Sequence, residues 1–381
     1  MHALPNRIER SCLKGLSLGI FLLALGSVQA SSEHGDEGDF NPSEFIIHHI
    51  ADAHEIHLMG GVHIPLPVIV YAPESGAFDI FMSSVFHHGA HHGASGLWYT
   101  YDHGVLAAHD HDPSGHSHGT DHGHGEEDHA DHGHGEGHHA GGVDIVDLSI
   151  TKSIFGMLLM MGLVLVLFGS AARGYSKRKG QAPKGLQNAL EPLILFLRDE
   201  VAVPSIGKKK ADRYLPFLLT VFFFIFFSNL LGLIPFIGGF NITGTLGITM
   251  VLAGLVFIIT TFSGNKHYWG HILWPPGVPL PIKFILVPIE IASIFIKPAV
   301  LMIRLTANIT AGHIIILSFT SLIFILGNQF GQGVGMGTGV FSALFMIFMY
   351  LIEFLVAFLQ AYVFTLLAAL YFGEATQEAH H

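Results

Sequence analysis

Residues 298–315, PAVLMIRLTANITAGHII, set one arginine, Arg304, in the middle of a long apolar run. Between residues 214 and 372 the only Lys or Arg residues are Lys266, Lys283, Lys297 and Arg304, and the only acids are Glu290 and Glu353. A guanidinium at bilayer depth costs roughly 2.5 to 3.5 kcal/mol by insertion scales, so a chain that keeps one there keeps it for a reason. Arg304 is therefore the first candidate site residue.

Half of the 381 residues are hydrophobic, and several apolar runs approach the length of roughly 20 residues that crosses a hydrocarbon core. This composition defines an integral membrane protein. The one cysteine, Cys12, falls in a leader-like segment, which excludes a disulfide framework or a thiol metal site. The net charge of −11 hides a segregation. Residues 31–147 carry many Asp and Glu but no Lys or Arg, whereas residues 173–213 carry Arg173, Lys177, Arg178, Lys179, Lys184, Arg198, Lys208, Lys209, Lys210 and Arg213. The positive-inside rule makes the second segment cytoplasmic and the first exported. Because the basic cluster adjoins membrane spans, a nucleic-acid partner is not expected.

Residues 1–30 combine Arg7, Arg10 and Lys14 with a short apolar core and a small-residue end, Ser27-Val28-Gln29-Ala30, the layout of a signal peptide. An uncleaved anchor is the competing reading. Residues 31–102 read as a small β-containing extracytoplasmic region. Within it a short helix is expected over 45–59, and brief strands over 63–71, 78–86 and 97–101, the first two joined by the turn Pro73-Glu74-Ser75-Gly76. His48, His49, His54 and His57 are potential metal ligands there, though the simpler reading is a polar helix face. Residues 103–142 are a low-complexity spacer of His, Gly, Asp and Glu that buries almost nothing and reads as disordered.

The membrane domain spans residues 150–372 and ends in a short tail, 373–381. Residues 153–172 form the first span. Residues 186–206 have the spacing of a surface helix, residues 215–237 and 245–262 make a helical hairpin, and 263–281 reads as an interfacial loop with Trp269 and Trp274. Two overlong helices follow, 282–326 and 340–372, separated by the Gly-rich stretch 327–339, which reads as a loop. At 1.5 Å per residue neither fits upright in a core of about 30 Å, so both must tilt strongly, kink or run partly in plane. Pro288, Pro298 and Gly312 are candidate kink points. The expected fold is thus an all-α membrane protein of about five crossings, with an exported N-terminus and a cytoplasmic C-terminus.

Residues seven apart on a helix lie about 20° from each other around its axis. Glu290, Lys297 and Arg304 therefore form one stripe, joined by Ser293 and Asn308, while His313 falls on roughly the opposite side. Glu353 and Gln360 share a face of the last helix. Buried Ser, Asn and Gln also serve as hydrogen-bonding glue between membrane helices, and Lys297 also reads as a snorkelling side chain.

The strings IRLTANITAGHI, with Glu290 and Lys297 upstream, FSNLLGLIP at 227–235 and IEFLVAFLQAYVFTLLAALYF at 352–372 resemble subunit a of the F-type ATP synthase membrane sector. The resemblance begins at residue 150 and runs to the end of the chain; the His-rich stretch is outside it. It implies a non-catalytic stator subunit in a bacterial inner membrane, with the c-subunit ring, the b-subunit peripheral stalk, the F1 sector, protons and lipid as partners. Arg304 is then the essential arginine facing the ring, with Gln360 and Asn308 beside it. His313 and Glu353 are the coupled imidazole and acid of the entry half-channel, in an order exchanged relative to some members. Glu290 matches a carboxylate on the exit route, with Ser293 nearby, and Gly232 stands where some members have an acid. No cofactor is implied, and no Gly-rich phosphate loop is present in the sequence. The main rival, a metal-ion transporter with a His-rich extracytoplasmic loop, requires clustered ligands across facing membrane helices, where only His313 and Glu353 are available. A membrane-anchored sensor leaves Arg304 unexplained.

Overall fold

The computed structural model describes residues 52–58, 62–74, 76–102, 105–113, 142–177, 185–234, 240–330 and 332–377. The segment expected to be a leader, His48, His49 and most of the His-rich stretch lie outside them. The chain divides into two compact units, residues 51–155 and a unit built on residues 156–381.

The first unit contains β1 (Glu55–Leu58), β2 (Val62–Pro65), β3 (Pro67–Ala72), β4 (Ala77–Met82), β5 (His91–His92), β6 (Trp98–Asp102), β7 (Val105–His109), β8 (Gly142–Val143) and β9 (Val146–Asp147). β1 and β2 form a hairpin, β3 is central between β4 and β9, and β5 to β8 form a four-stranded sheet, all antiparallel. Along β3 the side chains of Val68, Val70 and Ala72 are buried and those between them less so, the period-two pattern of a strand with one face in a core. They pack with Leu97, Tyr99 and Ala108.

Asp79 is buried on β4 and is satisfied there. Its Oδ2 accepts from the Tyr99 hydroxyl at 2.7 Å and from the Ser95 hydroxyl, and its Oδ1 accepts from the Ser95 N–H at 3.0 Å. A Cβ at Gly93 would fall against this carboxylate, so the close approach requires glycine. Burial pushes the Tyr99 phenol up to about 12, and the neighbouring Asp79 adds to it.

Four expectations for this unit are corrected. The strand over 63–71 divides at Leu66 into β2 and β3, which lie in different sheets. The helix over 45–59 is a strand where the structure describes it, at Glu55–Leu58, because its alternation of polar and apolar residues fits pairing with β2. The strand over 78–86 stops at Met82 and continues as a 3-10 turn, Ser83–His88. The stretch read as wholly disordered begins with Val105–His109, five residues apolar enough to pair with Trp98–Asp102.

The second unit is helical. α1 (Lys152–Lys177) begins in the first unit, where Asp52 Oδ1 accepts from the Ser153 N–H at 3.0 Å and Thr151 Oγ1 accepts from the Ile154 N–H at 3.4 Å. Two of the donors left open at a helix start are thus capped, one of them from 101 residues away. α2 (Leu186–Phe196) runs through a π-helical turn at Leu197–Ala202 into α3 (Val203–Ile206). Leu190, Leu197, Val201 and Ile206 are buried there while Arg198, Asp199 and Glu200 are exposed, as the surface-helix reading requires. α4 (Ala211–Gly232), α5 (Leu246–Ser263), α6 (Lys266–Leu273), α7 (Leu280–Phe330) and α8 (Gln332–Thr376) complete the chain.

Among the described residues, five helices are long and apolar enough to cross a membrane: α1, α4, α5, and the segments Leu280–Leu322 of α7 and Gly337–Thr376 of α8. α7 has 51 residues and α8 has 45, so each exceeds an upright crossing by more than the sequence implies. The difference lies at residues 327–339, read as a loop but helical at every described position. Composition alone misleads there, since glycine lowers helix propensity by about 1 kcal/mol per residue without forbidding the helix. The expected interfacial loop over 263–281 likewise contains a helix, α6.

α8 packs on α7, α4 and α5. Ala357, Ala361 and Ala368 give it a small-residue face, and the Phe358 ring fits between Phe222 and Phe226, each 5.9 Å away. The carbonyls at its C-terminus are capped: Asn265 N–H donates to Ala375 O at 3.0 Å, and Lys210 Nζ and Asn265 Nδ2 donate to Thr376 O at 2.7 and 3.1 Å. An ammonium at that end also complements the helix dipole.

The first unit carries a pH test. Burial works to raise the Asp147 carboxyl, but His54 Nε2 at 3.3 Å from it and the hydrogen bond from the Ser149 N–H outweigh burial and hold the group at about 2, against an ordinary 3.8. A depressed pKa contributes stability that is present above the unfolded value and lost as pH falls through the folded one. Acid titration of the purified chain, followed by tryptophan fluorescence, is expected to show this unit loosening between about pH 4 and pH 2, and Asp147→Asn is expected to diminish that step.

Candidate functional site

α7 presents two faces to different surroundings. Leu301 and Leu305 are buried against neighbouring helices, whereas Arg304, Ala307, Asn308 and Ala311 are exposed. Arg304 makes no ion pair or hydrogen bond among the described residues, and neither does Asn308. Two polar residues one turn apart thus lie on an uncovered strip flanked by alanines, where a partner's helix can approach closely.

α8 faces the other way. Glu353, Ala357, Gln360, Ala361 and Phe364 line its buried face, and Leu351, Leu355 and Leu359 its exposed one. Glu353 and Gln360 therefore share a face, as their spacing implies. Glu353 meets α7 at Gly312, where a Cβ would coincide with the carboxylate. Its Oε2 is buried with no hydrogen-bond partner among the described residues. One residue further along α7, His313 turns toward α4. Its Nε2 lies 3.4 Å from the place a Cβ on Gly232 would occupy. Two glycines, one on α7 and one on α4, thus leave the room in which an acid and an imidazole reach the same level of the bundle. His313 sits away from the exposed Arg304 strip, as the nine-residue spacing requires.

Other members of the expected set are spread along α7. Glu290 Oε1 lies 4.0 Å from His271 Nδ1 on α6, and its carbonyl accepts the Ser293 hydroxyl at 2.7 Å. Ser293 is thereby engaged within its own helix. Lys297, placed on the Arg304 stripe by sequence, pairs with Glu374 of α8 at 2.5 Å and lies 5.3 Å from the Tyr371 ring.

Several supporting residues escape sequence reasoning. Asn229, buried on α4, donates from Nδ2 to Ala357 O at 3.3 Å and accepts the Thr243 hydroxyl at 2.5 Å. It holds α8 between Glu353 and Gln360, at the height the site needs. Thr249 and Thr306 join α5 to α7 through a 2.7 Å hydroxyl contact. A polar residue inside an apolar span was the available signal for Asn229. Among the described residues no group of three His, Cys, Asp or Glu side chains is arranged to hold a metal ion.

Among the described residues, five helices able to cross a membrane, an arginine without an ion pair on an exposed strip of one of them, and a buried acid and an imidazole on the same pair of long helices define a polytopic helical membrane protein. Residues 154–373 match the family model described as ATP synthase A chain, and residues 45–132 match a domain of unknown function (DUF8433). The chain belongs to the ATP synthase A chain family. It is 46% identical over 237 residues to ATP synthase subunit a 2 of Chlorobaculum tepidum, covering 60% of this chain and 64% of that protein. It is 40% identical over 250 residues to ATP synthase subunit a of Myxococcus xanthus (62% and 76%), and 36% identical over 244 residues to that of an Anaeromyxobacter species (62% and 56%). The matched segment thus spans between about half and three quarters of these relatives.

Gly312→Ala isolates one contact. On an open helix this change gains ~1 kcal/mol. Here the new methyl takes the place of the Glu353 carboxylate, and the expected result is normal membrane insertion with reduced ATP-driven proton transport, measured by dye quenching in inverted vesicles.

Proposed function

We propose that this chain is the stator subunit of the proton channel in an F-type ATP synthase, with Arg304 coupling proton passage to rotation of a ring of c subunits. The observation that carries the reading is the position of Arg304: exposed, without a counter-ion among the described residues, on a helix whose polar stripe lies in an apolar run. Membership of the family supports it.

The mechanism follows from charge. A ring carboxylate arriving opposite Arg304 is stabilised as the anion, since opposite charges 4 Å apart attract by about 4 kcal/mol at an effective dielectric of about 20. Its proton leaves there and is regained once the carboxylate has moved on, so ionisation is tied to angular position. The guanidinium also stands between two aqueous half-channels, and a proton crossing directly would have to pass a fixed positive charge. On the entry side, His313 and Glu353 relay protons at the level fixed by Gly232 and Gly312. On the exit side, Glu290 with Ser293 lies along the same helix as Arg304. Asn308 flanks the arginine's contact with the ring, and Gln360 takes its part from the buried face of α8.

The positive segment 173–213 supports a bacterial inner-membrane orientation with the N-terminus exported and the C-terminus cytoplasmic. The b-subunit stalk and the F1 sector are the further partners this assignment entails.

Reconstituted complex carrying Arg304→Ala tests the reading. ATP synthesis driven by an imposed proton gradient is expected to vanish while complex assembly is retained. Synthesis at the wild-type rate would sink it.

A further inference from the structure

α7 carries three cations: Lys283, Lys297 and Arg304. Lys283 Nζ lies 4.2 Å from the centre of the Trp274 ring. Lys297 Nζ lies 2.5 Å from Glu374 Oε2, in a cleft lined by Thr260, Tyr268, Ile294, Pro298 and Tyr371. Arg304 makes no such contact among the described residues. Lys297 stands two turns from Arg304, about 10 Å along the axis and on the same stripe. Unpaired, it would offer a moving carboxylate a second positive stop. Paired, it presents a dipole, whose field falls off faster with distance than that of a bare charge.

We propose that Glu374 is a positioning residue for the proton-transfer step: by neutralising Lys297 it leaves Arg304 as the single Lys or Arg without an acidic partner that a ring carboxylate meets on α7 from Lys297 onward. The inference rests on the reading of Arg304 as the ring-facing switch. It gives the last turns of α8 a role besides packing and explains why a lysine is tolerated on the stripe that carries the working charge. Snorkelling to the headgroups is not required, since the ammonium is held within the protein. The alternative is that the pair is only a clamp holding α8 to α7. The two roles separate because removing both charges abolishes a clamp but creates no stray cation.

The test compares Glu374→Gln with the double variant Lys297→Gln/Glu374→Gln, reading ATP-driven proton pumping per assembled complex in inverted vesicles. The inference predicts that Glu374→Gln alone slows pumping on the order of ten-fold, since the freed charge acts at about 10 Å. The double variant should return to within about two-fold of wild type. A double variant as slow as the single one, or a single variant that pumps normally, overturns the proposal. If Glu374→Gln does not assemble, a double variant that assembles and pumps supports it, and one that also fails overturns it. Arg304→Ala in the same membranes separates the layers. Normal pumping there removes the underlying reading, whereas a silent Arg304→Ala beside a normal Glu374→Gln removes only the role of Glu374.

Discussion

The membrane unit depends on a guanidinium kept in a low-dielectric setting without a counter-ion among the described residues. Other polar ends of α7 and α8 find partners: Lys297 pairs with Glu374, and the C-terminal carbonyls of α8 accept from Lys210 and Asn265. Arg304 is left open, and a charge left open in such a place is stabilised only by what arrives from outside. The strip of alanines around it keeps that approach close, and the buried Leu301 and Leu305 behind it keep the backbone from yielding.

Small residues and single polar side chains set the distances that this arrangement needs. Gly312 and Gly232 leave space for Glu353 and His313, and Asn229 reaches from α4 to the Ala357 carbonyl to hold α8 at one height. In the proposed mechanism these are the elements that place the entry route at a fixed level relative to the arginine. In an apolar medium, where no hydrophobic drive forces helices together, close packing and interhelical hydrogen bonds are what specify register.

The membrane fold was largely legible in the sequence because hydrocarbon reduces the options to helices, and their number, the long pair and the stripe of Arg304 follow from length and periodicity alone. What was not legible depended on environment or on distant partners. Residues 327–339 look like a loop by composition, yet they are helical at every described position, because glycine weakens a helix without forbidding it. Glu55–Leu58 is too short for period to separate helix from strand, and its pairing with β2 decided it. The candidate residues Arg304, Glu353, Gln360 and His313 could be placed on helix faces from spacing. The partner of Lys297, 77 residues away, could not, nor could the meeting of Glu353 with Gly312, because both arise from the packing of two helices.

The central claim is that Arg304 forbids protons from passing between the half-channels unless the ring turns. Proton flux under an imposed membrane potential, measured in vesicles whose c-ring is immobilised by a cross-link to the stator, tests this most directly. The account predicts no flux with Arg304 in place and a measurable leak with Arg304→Ala. Equal flux in the two would contradict it.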